Sequence, residues 1–209
     1  SVLDILVSLY YGGILRYNSK KPNWNKRDKC FLSKGHAGIA QYCILADLGF
    51  FPKKELEFFN NQKLLGEHPD KNIPGIEAIS GSLGHGLSIG IGVALGDILN
   101  ENRSNKTYVI LGDGDCYEGS TWEAANFASN HSIDNLTAVI DRNYLITHGS
   151  TERYNKLEPL KDKWEAFGWE VSNIDGHDFK SLTTELKVSS LNKKPKVIIA
   201  NTVKGKGVS

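Results

Sequence analysis

From residue 105 to the end of the 209-residue chain, short apolar runs alternate with helical patterns, and no other feature limits the fold so tightly. Residues 107–111 and 136–140 are continuous β-branched and apolar stretches, the pattern of strands buried on both faces. Further strands are expected at 170–174 and 197–200, with helices at 122–130, 160–167 and 179–188 between them. Strands that take turns with helices form a parallel sheet, because a parallel crossover needs a long connection and a helix supplies it. The expected fold class is therefore α/β, a parallel sheet with helices on both faces, in a single domain over residues 1–209.

Upstream the pattern is looser. Leu3, Leu6, Val7 and Tyr10 repeat at helical spacing within residues 2–11. Residues 18–28 read as a polar surface loop, Cys30-Phe31-Leu32 as a short apolar piece, and 41–45 as part of a helix. Another helix is expected to begin at Pro52, a good first helical residue, and to end near Asn61. Residues 62–82, punctuated by Gly66, Pro69, Pro74, Gly75 and Gly81, read as a long irregular segment, a size usually functional or disordered. A glycine-rich helix follows over 84–99. Gly90 to Gly96 imitates a dinucleotide fingerprint, but it follows a loop instead of a strand and its last interval is too long. Gly84, Ser88, Gly92 and Gly96, spaced by four, strip one helix face of side chains. Each interior glycine costs ~1 kcal/mol against alanine, so close approach of another surface is expected. An intrachain packing face and a self-association surface satisfy that equally.

Composition removes several function classes. With 25 Lys and Arg against 24 Asp and Glu the formal charge is +1, too small to hold nucleic acid or an anionic membrane through a broad field. No run of about 18 apolar residues could span a bilayer. Cys30, Cys43 and Cys116 are odd in number and form no CxxC pair, so neither a disulfide framework nor a structural zinc site is expected. A reducing cytoplasm suits such a chain, and no signal peptide is expected at Ser1.

Ligands of such sheets bind beyond the carboxyl ends of the strands, which here are Gly112-Asp113-Gly114 and Asp141-Arg142-Asn143. The helix start after Asp113 favours anions, so an aspartate at that point conflicts with a phosphate ligand unless a hard cation stands between them. Mg2+ takes oxygen ligands, commonly one or two from protein and the rest from phosphate and water. Asn143 offers a neutral oxygen at the next strand tip. The plainer reading is that Asp113 caps a helix and Asn143 makes a turn. Glu118 has a plainer role too, as a favourable charge at a helix N-terminus. His36, within Lys34-Gly35-His36-Ala37, and His68, within Gly66-Glu67-His68-Pro69, sit in loop contexts suited to a polar cleft, where imidazole donates to phosphate or sugar oxygens. His85 falls in a third such loop. His131, His148 and His177 lack that context and are assigned to the surface. Arg16, Arg27, Arg103, Arg142 and Arg153 are scattered and form no phosphate cluster. Cys116 has no role beside a hard cation.

Taken together these segments resemble the diphosphate-binding domain of transketolase, in particular the N-terminal subunit of the split, two-chain kind. The residues that carry the likeness are Arg27 to Ala37, His68-Pro69, Gly81 to Gly86, Leu111 to Gly114 with Glu118-Gly119, Asp141-Arg142-Asn143, Trp164 to Trp169, Asp175 to Asp178 and Thr202 to Gly207. The resemblance implies Mg2+ held by Asp113, the Asn143 side chain and the Leu145 carbonyl. It implies thiamine diphosphate with its diphosphate against Gly114 and His36, and its rings along Gly81, Ser82 and Leu83. His36, His68 and Glu118 become the catalytic group: His68 faces the ketose hydroxyls, and Glu118 joins a carboxylate network reaching the partner's cofactor.

The implied reaction moves a two-carbon ketol unit from a ketose (phosphate) to an aldose (phosphate), as in the pentose phosphate pathway. The implied partner is a C-terminal pyrimidine-binding subunit carrying the activating glutamate, so that this chain holds half of each active site, and the glycine-stripped helix becomes an interface element. Sugar phosphates are the implied substrates. A Gly-His-Pro segment is expected ahead of Ser1, and a His-Gly segment beyond Ser209. His85 in place of the usual Gln, and Glu67 in place of Gly, leave the sugar open, including an unusual one. Two other readings fit the Gly-Asp-Gly to Asn pair: the α subunit of a 2-oxoacid dehydrogenase, and a non-catalytic subunit that keeps the fold.

Overall fold

In the computed structural model, which describes residues 1–61, 64–188, 190 and 192–207, the alternation seen in the sequence becomes a parallel sheet. The chain opens with α1 (Leu3–Tyr11), β1 (Lys29–Leu32) and α2 (Gly38–Asp47), then crosses an irregular stretch to α3 (His85–Leu99). β2 (Thr107–Gly112), α4 (Gly119–Asn130) and β3 (Leu136–Arg142) follow. A small antiparallel hairpin, β4 (Leu145–Ile146) with β5 (Gly149–Ser150), leads into the single turn α5 (Thr151–Tyr154). α6 (Leu160–Ala166), β6 (Glu170–Asp175), α7 (Phe179–Lys187) and β7 (Lys196–Asn201) complete the order. The five long strands lie as β1-β2-β3-β7-β6, all parallel.

Successive strand side chains point to opposite faces, and here both faces are apolar. Cys30, Leu32, Tyr108, Ile110, Val139 and Ile198 pack on one side with α1, α2 and α7. Phe31, Val109, Leu111, Ala138, Ile140 and Ile199 pack on the other with α3, α4 and α6. Burying each Val, Leu or Ile contributes about 1.5–3 kcal/mol, so the continuous apolar runs at 107–111 and 136–140 belong in the sheet centre. The more polar Glu170–Asp175 lies at its edge and is only partly buried. Trp164 and Trp169, the ends of the Trp164 to Trp169 segment, are core: the Trp164 ring meets Trp169 edge-on at 4.9 Å and Trp122 at 5.1 Å.

Several boundaries differ from expectation. The apolar piece at Cys30 is a fifth strand, β1, because β2 offers it a free edge. The helix expected from Pro52 is a 3-10 helix, Lys53–Phe58, with no buried residue; it is too short to bury an apolar stripe. Within the irregular segment, Gln62 and Lys63 lie outside the described residues, and 64–82 carries no helix or strand. The glycines of α3 divide between two surroundings. A Cβ at Gly86 would meet Ser33 at 2.4 Å and one at Gly90 would meet Val109 at 2.4 Å, so these two permit close packing on the sheet. Along the stripe of Gly84, Ser88, Gly92 and Gly96, a Cβ at Gly84 would meet Glu118 Cβ and Ser120 Oγ at 2.5 Å, whereas Gly92 and Gly96 face open space, so only the start of the stripe is an intrachain packing face. Among the described residues no helix is long and apolar enough to cross a membrane.

The connection leaving β1 runs to α2 on one face, while that leaving β2 runs to α4 on the other. Chain paths that part in this way leave a crevice at the carboxyl ends of two neighbouring strands.

Candidate functional site

The crevice opens into a cleft of about 810 Å³ lined by the β1 tip (Lys34, His36), the β2 tip (Asp113, Gly114), and Asn143 and Leu145 beyond β3. Its floor is set by Asp115, a residue that no sequence motif singled out. This fully buried carboxylate takes hydrogen bonds from Ser33 Oγ, from the Gly84 amide at 2.9 Å and from the Gly112 amide at 2.8 Å. One side chain thereby ties together the ends of β1 and β2 and the start of α3.

Asp113 is bonded quite differently. It is buried, and its Oδ1 accepts from Arg142 Nη1 at 2.9 Å. Its Oδ2 is buried with no hydrogen-bond partner. Burial pushes the carboxyl pKa up, against the lowering pull of Arg142 and of the Tyr144 backbone amide. Asp113 therefore does not cap the helix that follows it. An orphaned carboxylate oxygen at a cleft is costly by itself, and a hard cation would satisfy it. Asn143 and Leu145 line the same cleft, so the oxygen chemistry at hand there, carboxylate, amide and backbone carbonyl, is of the kind that suits Mg2+. Among the described residues no group of three or more His, Cys, Asp or Glu stands together as a metal site.

Gly112 pairs with Asp141 across β2 and β3, so the two tips emerge side by side. Asn143 does make the turn expected of it, accepting from the Leu145 amide at 3.0 Å, and it also lines the cleft. Its Nδ2 donates to Ser1 Oγ at 3.3 Å. Tyr144 between them adopts φ +62°, a left-handed conformation uncommon for a bulky residue and characteristic of functional sites. Beneath the cleft, Lys34 Nζ donates to Asp141 Oδ2 at 2.6 Å with both side chains buried. Burial alone would raise the Asp141 pKa, but the Lys34 ammonium holds it below the usual range.

The sequence-derived residues gather unevenly. Asp113, Gly114, Glu118, His36, Leu83, Asn143 and Leu145 line one cleft. His36 is exposed at its mouth, and its imidazole pKa is lowered by desolvation first and then by Lys34, with a smaller effect from His68. A Cβ on Gly114 would meet Leu83 Cδ1 at 2.8 Å, so Leu83 covers the bare glycine. Gly81, at φ +132°, lies against the His68 ring, which a Cβ there would approach to 2.9 Å. His68, Gly81 and Ser82 stand just outside the cleft lining. Glu118 takes the N-cap position of α4 without a side-chain cap bond.

Two expectations need correction. His85 begins α3 and is not in a loop. His177 is no free surface residue: its Nδ1 faces Asp4 Oδ2 at 2.6 Å and its Nε2 accepts from the Val203 amide at 2.8 Å. His148 is exposed, as expected, but the β4–β5 hairpin, an element too short to leave a periodic signal in the sequence, brings it into the cleft lining. Arg142, in sequence one of five scattered arginines, ends β3 and is fully buried beside Asp113.

The whole chain, residues 1–209, matches the family described as "Transketolase, thiamine diphosphate binding domain". It is 40% identical over 211 residues to an apulose-4-phosphate transketolase subunit of Phocaeicola vulgatus, covering 100% of this chain and 74% of that protein. It is 40% identical over 212 residues to 6-deoxy-6-sulfo-D-fructose transketolase subunit SqwG of Clostridium sp. (strain MSTE9), covering 100% and 76%. Among solved structures, transketolase from Campylobacter jejuni superposes with a TM-score of 0.87 at 32% identity. That match covers 95% of this chain but 32% of the solved chain, so this sequence spans about a third of that enzyme.

Proposed function

The chain belongs to the transketolase thiamine-diphosphate-binding family, and from that premise we propose that it is the diphosphate-binding subunit of a two-chain transketolase. The reaction proposed is transfer of a two-carbon ketol unit from a ketose to an aldose. The observation that carries this reading is the unpartnered, buried Asp113 Oδ2 beside Asn143 in the cleft.

In this reading Asp113, the Asn143 side-chain oxygen and the Leu145 carbonyl hold Mg2+. Gly114, covered by Leu83, and His36 receive the diphosphate. Gly81, Ser82 and Leu83 border the rings, and His68 orients the ketose hydroxyls. Glu118, exposed on the cleft lip, extends toward the companion chain. Once bound, thiamine diphosphate supplies a nucleophilic carbon that takes up and releases the two-carbon unit. The chain's own task is to orient that group and neutralise its phosphates.

A companion pyrimidine-binding subunit would supply the rest of each active site, and the word "subunit" in the names of both relatives supports a two-chain assembly. Self-association would use the open Gly92 and Gly96 face of α3. The named substrates of the two relatives carry a phosphate or a sulfonate. An anion-bearing ketose is the donor class proposed here, and the Lys204 charge beside His36 at the cleft supports it.

The test is reconstitution with the companion chain, Mg2+ and cofactor. Asp113→Ala abolishes two-carbon transfer and Mg2+-dependent cofactor binding. Transfer that survives the substitution refutes the reading.

A further inference from the structure

The Asp175-Gly176-His177-Asp178 segment carries part of the family likeness, yet it lies outside the cleft lining and has no part in the site described above. Each of its residues nevertheless makes a defined contact. Asp175 Oδ1 accepts from the His177 amide at 2.8 Å, and Asp178 caps α7 through the Lys180 and Ser181 amides. The Gly176 amide donates to the Asn201 carbonyl at 2.7 Å, and a Cβ there would meet Thr202 Cγ2 at 2.5 Å, so the bare glycine lets this turn press on the chain leaving β7. His177 reaches one residue further. Its side chain is 12% exposed; Nε2 accepts from the Val203 amide at 2.8 Å, and Nδ1 lies 2.6 Å from Asp4 Oδ2 on α1. A backbone amide can only donate, so Nε2 carries no hydrogen and the ring proton sits on Nδ1, aimed at the Asp4 carboxylate. Both ring nitrogens are engaged, and neither is left to move a proton elsewhere.

What the ring braces is the exit from the sheet. Thr202 still follows the strand, its amide donating to the Arg142 carbonyl at 2.9 Å. Beyond it the Lys206 amide donates to the Val203 carbonyl at 3.1 Å and closes a turn over residues 203–206, with Gly205 at φ +83° in the third place, as a type II turn requires. The Val203 side chain is exposed and anchors nothing, so His177 grips this turn through its first amide. Lys204, the other central residue of the turn, lines the cleft. Its charge reaches His36, whose imidazole pKa is lowered by desolvation first, by Lys34 next and also by Lys204. We propose that Asp4 and His177 form a positioning pair that fixes the 203–206 turn and thereby holds Lys204 at the cleft, preset for phosphoryl oxygens. His177 itself touches neither cofactor nor substrate. The idea rests on the cofactor site proposed above. Without the brace each ligand would have to order a long side chain as it binds, which costs about 2- to 10-fold in affinity.

The test uses calorimetry on the full chain with its companion and two probes: thiamine diphosphate with Mg2+, and inorganic phosphate added to the complex already loaded with cofactor. Lys204→Ala lowers the affinity for at least one probe by about 10- to 100-fold, the loss of a hydrogen bond between charged groups. His177→Phe keeps a ring but offers Val203 no acceptor, and it lowers the same affinity by about 2- to 10-fold. His177→Gln keeps an acceptor and retains more affinity than the phenylalanine variant, whereas a role in packing alone gives the reverse order. Combining His177→Phe with Lys204→Ala loses no more than Lys204→Ala alone, because no ammonium is left to position. Asp4→Ala, which lets the ring turn or change tautomer, acts in the same direction by a smaller factor and covers the case in which the phenylalanine variant does not fold. A loss confined to thiamine diphosphate assigns Lys204 to the cofactor, and one confined to inorganic phosphate assigns it to the donor's phosphate. Losses that add in the combined variant, unchanged affinity in both the His177→Phe and Asp4→Ala variants, or Lys204→Ala without effect on either probe overturn the positioning role and leave the cofactor site intact. A wild type without Mg2+-dependent cofactor binding overturns the site and the inference together.

Discussion

Two buried aspartates, Asp28 at the amino end of the sheet and Asp113 at its carboxyl end, are bonded in opposite ways. At the amino end Asp28 takes bonds from the Arg16 amide at 2.8 Å, from the Arg16 guanidinium at 2.7 Å and from the Lys106 amide at 2.8 Å, so that both oxygens are occupied. Around it Lys29 pairs with Asp97, and Asn105 bridges Asp97 to the carbonyl of Asn25. At the carboxyl end Asp113 is just as buried, yet one oxygen has nothing to bond. Folding alone accounts for the first arrangement, in which both carboxylate oxygens are satisfied within the chain. The second leaves a group whose burial is compensated only by something that binds. Burial of a charge does not separate structural from functional sites; incomplete satisfaction does.

Substitutions at the two ends should therefore fail in different assays. The largest effect is expected at the open carboxylate. Asp113→Asn removes the charge but little volume, and Mg2+-supported cofactor affinity drops by at least about a hundredfold, while the thermal midpoint moves little. Equal affinity in calorimetry would erase the contrast. Next comes the closed one. Asp28→Ala leaves Arg16 and two amides without their acceptor and costs about 3 kcal/mol in urea unfolding, with cofactor affinity retained. A smaller pair of changes uses α3, which runs from one end of the sheet to the other. Gly84→Ala at the carboxyl end meets both a positive φ of 81° and the Glu118 Cβ at 2.5 Å. It destabilises by about 1–2 kcal/mol and displaces Glu118 from the cleft lip. Gly96→Ala at the far end meets open space and stabilises the helix by about 0.5–1 kcal/mol. Opposite signs in paired melting curves would sharpen the comparison, and like signs would break it.

The sequence by itself determined the four strands β2, β3, β6 and β7, the longer helices between them and the class of sheet, since each of those depends on neighbours a few residues apart. It also placed Asp113 and Asn143 at strand tips, because a buried apolar run that ends in a polar residue marks where the strand leaves the core. The shape of its motifs was enough to indicate the family. Only the tertiary structure decided that Arg142 and Asp115 organise the cleft, that β1 joins the sheet, that His177 is held between α1 and the segment after β7, and that Gly92 and Gly96 look outward while Gly86 and Gly90 pack. The reason is distance along the chain. Apolar periodicity is a local property, whereas the partner of a buried charge is chosen by the fold: Arg142 finds Asp113 across 29 residues, and Ser33 finds Asp115 across 82. No pattern of nearby residues encodes those pairings.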